Sequence, residues 1–74
     1  MPKFIKVDPE IMSGTPCFDG TRVPVRTLFD HLAHDYKISE MLEQFPSVTR
    51  EQVEALLEHC YQRLMVEFPP QRRR

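Results

Sequence analysis

The segment Phe45-Pro46-Ser47-Val48-Thr49-Arg50-Glu51-Gln52-Val53 constrains this chain more than any other. Proline cannot continue a helix, so Pro46 stops one. Thr49 followed three residues later by Gln52 is a capping box, in which each side chain satisfies a backbone N–H at the start of the next helix. Val48 and Val53 flank that cap as a hydrophobic staple. Only Pro46-Ser47-Val48-Thr49 joins the two helices.

The helices on either side follow from periodicity. After the Thr49 cap, Val53, Leu56, Leu57, Cys60 and Leu64 form one continuous apolar stripe to about Val66. Before Pro46, the apolar face Met41, Leu42, Phe45 predicts a short helix. Ser39 is its expected N-cap, with Ile38 as a staple ahead of the cap. A further helix is expected from Val25 to Ala33, entered through Pro24, with Val25, Leu28, Phe29 and Leu32 on one face. Asp35 is placed to close it in the left-handed conformation. A first helix, then a short helix, a tight turn and a longer helix make a trihelical helix-turn-helix arrangement; an ordinary small bundle has the same element count.

Upstream, Phe4-Ile5-Lys6-Val7 reads as a short strand ended by Asp8-Pro9, and Ile11-Met12 as a brief extended or turn piece. Asp19-Gly20 predicts a two-residue hairpin turn that pairs Phe18 with Thr21 and Cys17 with Arg22. The expected class is therefore mainly α, with short N-terminal strands or a β-hairpin. Residues 1–66 form one domain, and 67–74 a flexible basic tail.

Bulk properties narrow the function. With 74 residues, this sequence buries a modest core, which favours a binding module that dimerises over a monomeric enzyme. No run approaches a membrane span, the first residues lack the features of a secretory signal, and two lone cysteines make no disulfide framework. A cytoplasmic protein is expected. Net charge is −1. Residues 1–24 sum to zero, 25–48 to −2 and 49–74 to +1, so the body of the domain carries no basic footprint.

Catalytic and metal constellations are not evident. His31 and His34 stand three apart without a convincing further ligand, and His59 and Cys60 leave their helix at different angles. No triad, inward carboxylate pair or HExxH is present. The expectation is a non-enzyme without metal or cofactor.

The stretches Val7-Asp8-Pro9-Glu10, Gly14-Thr15-Pro16-Cys17 and Gly20-Thr21-Arg22-Val23-Pro24-Val25 resemble the signature of the family catalogued as domain of unknown function four-three-three. Glu40-Met41-Leu42-Glu43-Gln44-Phe45-Pro46 and Thr49-Arg50-Glu51-Gln52-Val53 are similar to that family's second and third helices. The likeness spans about residues 5 to 66. It departs at Asp35, where glycine is common, and at Asp19, where a basic or small residue is common. The resemblance implies a homeodomain-like helix-turn-helix preceded by short strands. It also implies an antitoxin of a type II toxin–antitoxin pair, with a PIN-like ribonuclease as partner and autoregulation at its own promoter. A stand-alone DNA-binding regulator and a structural dimerisation module are the competing functions.

Candidate residues follow. Gly14, Pro16, Gly20, Thr21, Arg22 and Pro24 are expected to set turns, with Arg22 paired internally to Glu10 or Asp30. On the third helix, Arg50, Gln52, Gln62 and Arg63 are the candidate nucleic-acid contacts, since arginine and glutamine read guanine and adenine edges. Glu51, Glu54 and Glu58 share that surface, and Arg50–Glu54 has ion-pair spacing. In the tail, Phe68 is an aromatic anchor and Arg72, Arg73 and Arg74 are charges suited to an acidic cleft.

Overall fold

The computed structural model describes residues 2–71. Its elements run β1 (Ile5–Lys6), β2 (Cys17–Phe18), α1 (Arg26–Ala33), α2 (Ile38–Gln44) and α3 (Arg50–Glu67). The expected mainly α architecture is present, three helices preceded by a pair of short antiparallel strands.

Strands β1 and β2 pair Ile5 with Phe18 and Lys6 with Cys17. The chain between them makes an excursion through Met12, Ser13 and Gly14, three successive residues with positive φ (51°, 55° and 84°). This left-handed turn occupies the place of the expected extended piece. Asp8 starts it, accepting the Glu10 N–H on its carboxylate at 2.9 Å and the Ile11 N–H on its carbonyl at 2.9 Å.

The loop after β2 differs from the expected two-residue hairpin. Phe18 C=O accepts the Thr21 N–H at 3.0 Å, and Gly20 has φ +76° while Asp19 is not left-handed. Phe18 N–H donates to Val23 C=O, and Cys17 bridges Pro24, so both strand residues pair two positions further along than Thr21 and Arg22. The Thr21 hydroxyl explains the shift. It donates to Phe18 C=O at 2.8 Å and accepts the Val23 N–H at 3.0 Å, closing a four-residue loop over Asp19–Arg22. Pro24 sits where the ladder asks nothing of its nitrogen: the bonds run from Phe18 N–H to Val23 C=O and from Val25 N–H to Pro16 C=O. Strand β2 thus lies between β1 and the Val23–Val25 stretch, and Cys17 and Phe18 are buried.

Helix α1 ends in a Schellman motif. Tyr36 N–H donates to His31 C=O and Asp35 N–H to Leu32 C=O, with Asp35 at φ +65° as expected. Of its apolar face, Leu28 is fully buried and Val25 partly, whereas Phe29 and Leu32 stay 40% and 38% exposed.

Helix α2 begins one residue before the expected Ser39 cap. Lys37 is the N-cap, and the Glu40 carboxylate accepts its backbone N–H at 2.8 Å. Ile38 thereby becomes the first helical residue and packs on the core. Helix α3 starts as expected: Thr49 Oγ1 accepts the Gln52 N–H at 3.1 Å, and Gln52 Oε1 accepts the Thr49 N–H at 3.0 Å.

The core is Phe18, Leu28, Met41, Val48, Val53 and Leu56, drawn from every element except β1. Phe4 and Ile5 close it from the N-terminal side, and the Phe4 ring meets His59 edge-on at 6.2 Å. Beyond that point the expected stripe on α3 separates into two parts. Val53 and Leu56 are buried and Leu57 and Cys60 partly so, but Leu64 is 50% and Val66 76% exposed. The described residues leave the distal turns largely uncovered. The elongated envelope, 50 × 28 × 19 Å, reflects this.

Candidate functional site

Four surfaces carry the polar and exposed apolar residues. The first is the N-terminal end of α3. Arg50 is exposed there as the first helical residue. Gln52 is committed to the protein: besides the capping box, its Nε2–H donates to Asp19 C=O at 2.9 Å, tying the β2 loop to the start of α3. Gln62 Nε2–H donates to Glu58 Oε2 at 2.8 Å. Arg63 is exposed. Twelve helical residues place Gln62 about 18 Å along the axis from Arg50. The candidate nucleic-acid residues therefore do not form one cluster, and both ends of the Gln52 amide are engaged by the domain's own backbone. Among the described residues the only ion pair is Arg26–Asp30 at 3.5 Å, so Arg50–Glu54 is not formed.

The second surface is the Gly-Thr-Arg loop. Gly14 and Gly20 both hold positive φ; a Cβ on Gly14 would lie 3.9 Å from Pro9 Cα, while one on Gly20 would meet nothing within 4 Å. Pro16 lends its carbonyl to the Val25 N–H. Arg22 is exposed and, among the described residues, has no carboxylate within ion-pair reach, contrary to the expected pair with Glu10 or Asp30. Instead it lines an open cleft of about 420 Å³ with Lys6, Ile11, Asp19, Gly20 and Thr21. Lys6 and Ile11 lie far from the loop in sequence. The outward position of Lys6 on β1 was the one signal for its part.

The third surface joins α1 to α2. His31 Nδ1 faces Thr27 C=O at 2.9 Å and Nε2 faces Gln44 Oε1 at 2.9 Å, while the ring packs against Tyr36 at 5.2 Å and Phe45 at 5.7 Å. Two oxygen acceptors are fully satisfied only by the imidazolium. The Gln44 hydrogen bond first, then the Thr27 carbonyl and the nearby Asp30 charge, hold the His31 pKa above its usual 6.5 against the opposing effect of burial. His34 Nδ1 lies 2.7 Å from Asp30 C=O. With Asp30, Tyr36 and Gln44 the two histidines line a shallow cleft of about 240 Å³. Among the described residues no three His, Cys, Asp or Glu side chains converge in a metal-holding group.

At the far end of α3, Tyr61, Leu64, Met65 and Phe68 recur at i, i+3, i+4 and i+7, one face of the helix. Tyr61 and Phe68 are 54% and 68% exposed, and Met65 is half-buried. Phe68 closes the helix, its N–H donating to Leu64 C=O at 2.7 Å. Pro69, Pro70 and Gln71 continue exposed without regular structure; Arg72, Arg73 and Arg74 lie outside the described residues.

Fold and surfaces together define a small mainly α domain with a Gly-Thr-Arg loop anchored to its longest helix. This chain belongs to the family described as "Protein of unknown function (DUF433)", which it matches over residues 5–60. It is similar to the uncharacterized protein y4eO of Sinorhizobium fredii, at 35% identity over 51 residues. That match takes in 69% of this chain but 23% of the relative, so the chain spans about a quarter of the relative's length. No solved structure matches it. Among the described residues no helix is long and apolar enough to cross a membrane.

Proposed function

We propose that this chain is the antitoxin of a type II toxin–antitoxin pair that binds and neutralises a PIN-like ribonuclease through the distal half of α3 and the tail beyond it. One observation carries the reading: on the face Tyr61, Leu64, Met65, Phe68 the described residues leave Tyr61, Leu64 and Phe68 half or more exposed and Met65 only half-buried, and the face runs straight into a diproline and the sequence Gln71-Arg72-Arg73-Arg74. Apolar helix faces of this kind lie in hydrophobic grooves as i, i+3, i+4, i+7 anchors. Aromatic residues are the usual strong points of such contacts. The arginines suit the carboxylate-lined cleft of a metal-dependent nuclease, where they would compete with magnesium and block substrate entry. Promoter binding is the second activity of this reading. It uses the helix-turn-helix order of α2 and α3, with a homodimer spanning two half-sites.

The test is co-expression with the product of the adjacent reading frame, tagging only the neighbour. The full chain co-purifies. Leu64→Asp abolishes the complex without unfolding the free chain, since Leu64 is half exposed. Removal of residues 69–74 weakens it. Absence of any complex refutes the antitoxin reading; a complex indifferent to both changes refutes the assigned surface.

A further inference from the structure

The Gly-Thr-Arg loop has more order than a connector needs. Thr21 binds Phe18 through both its hydroxyl and its N–H, and also takes the Val23 N–H. Asp19 N–H donates to Phe4 C=O at 2.9 Å and its carbonyl takes Gln52 Nε2–H at 2.9 Å. Three hydrogen bonds thus close the four-residue loop on itself, and two more tie it to Phe4, just ahead of β1, on one side and to α3 on the other. The Arg22 side chain projects from this rigid base into the open cleft that Lys6 enters from β1. Among the described residues neither cation has a carboxylate within ion-pair distance. Arg22 stays unpaired although Asp19 lines the same cleft.

The charge and shape of the cleft select a ligand class. Two cations and one carboxylate leave a single net positive charge, which suits the one charge of a phosphodiester better than the dianion of a terminal phosphate. The cleft is open rather than enclosed, which admits a ligand that continues beyond it. Ile11 supplies an apolar wall against which a sugar can lie. Gln52 is the third residue of α3, so the cleft is fixed beside that helix's positive end, where Arg50 is also exposed. A helix and a phosphate contact held at constant separation match a ligand of constant spacing, the rigid double helix.

We propose that the cleft formed by Lys6, Ile11 and the Asp19–Arg22 loop is a phosphodiester-binding site that seats the backbone of duplex DNA beside the N-terminal end of α3. Lys6 and Arg22 position the duplex, and sequence is read elsewhere. The site extends the promoter-binding half of the proposed function and does not depend on the nuclease-binding half.

The experiment uses the full free chain, with no partner present, and a fluorescent 20-base-pair duplex titrated at several salt concentrations. Because a released phosphate contact changes the salt slope by about one, Lys6→Gln and Arg22→Gln each lower the slope of log affinity against log salt by about that amount. Together they lower it by about two. Both weaken different duplex sequences alike. Arg22→Lys restores the slope, as a structural role would not. Asp19→Asn tightens binding, because its carboxylate repels phosphate while its backbone alone holds the loop. All three side chains are exposed, and unchanged unfolding midpoints confirm intact folds. No duplex binding by the wild-type chain overturns this site and the promoter reading together. Binding with an unaltered slope in the Lys6 and Arg22 variants overturns the site alone. Preference for single-stranded RNA of the same sequence, or for a poly-glutamate peptide, also overturns the duplex assignment. In every case the nuclease reading is left to its own co-purification test.

Discussion

Asp35 offers the sharpest energetic test of the fold. It occupies the left-handed position of the Schellman motif that ends α1, at φ +65°. For an L-residue with a Cβ that conformation costs about 1–2 kcal/mol, less for Asp or Asn, whose short polar side chains tolerate it. Its carboxylate also faces the negative end of the helix dipole, a penalty of a few tenths of a kcal/mol at an exposed site. Asp35→Asn removes the charge and keeps the conformational tolerance. Asp35→Gly removes both costs but adds backbone entropy to the unfolded chain, which takes back about 0.5–1 kcal/mol. Asp35→Ala removes the charge and raises the conformational cost. The expected order of stability is Gly, Asn, Asp, Ala, with glycine about 0.5–1 kcal/mol above the wild type. In a domain this small, 1 kcal/mol moves Tm by roughly 4–8 °C. Urea and thermal unfolding followed by helical circular dichroism reads all four. An alanine variant as stable as the aspartate refutes the argument, because the left-handed residue would then cost nothing.

The remaining predictions concern the core, the cap and the histidine. Met41 is fully buried at the centre of the core, so Met41→Ala should cost about 2–5 kcal/mol. Against a typical stability near 5 kcal/mol that leaves the domain close to unfolding at room temperature, visible as a lost or strongly broadened denaturation transition. Gln52→Ala deprives Thr49 N–H and Asp19 C=O of their partners and should cost about 1–2 kcal/mol; amide exchange should rise both at Thr49 and in the loop 33 residues away. The raised His31 pKa predicts stability that is fully present below pH 6.5 and is lost as pH rises through the higher folded value. Gln44→Ala removes the largest cause and should flatten that decline in Tm between pH 5 and 8.5; a curve unchanged by the substitution sinks the assignment.

What could be read from the residues was mostly what is decided within one helical turn. The Thr49–Gln52 box and the Val48–Val53 staple are such features, and both stand. The left-handed Asp35 followed for the same reason. At α2 local preference lost. Ser39 is the better intrinsic cap, but starting at Ile38 brings that side chain onto the core while Glu40 satisfies Lys37 N–H. The Asp19–Gly20 pair suggested the tightest turn available. That expectation ignored the Thr21 hydroxyl, which favours a wider loop, and β1, which fixes β2 from its other edge. Periodicity on α3 marked an apolar face correctly without saying where its cover would run out. The assembly of the Lys6–Arg22 cleft and the bond from Gln52 to Asp19 depend on contacts between residues distant in sequence, so no local pattern announces them.

The two halves of α3 also differ in how they open. Up to about Cys60 the helix cannot unwind without tearing Val53 and Leu56 from the core, so its amides should exchange only through global unfolding. Beyond it, the turns from Tyr61 to Glu67 are held by little more than their own backbone bonds. Short helical segments without tertiary support are marginal in water. This end should therefore fray on its own, with an opening free energy well below that of the domain, which amide exchange over residues 61–67 would read. A protease therefore has a foothold there while the rest of the molecule stays folded. A ligand that bound only the helical form of this end would withdraw that foothold, so resistance to proteolysis and occupancy would be two readings of one local equilibrium.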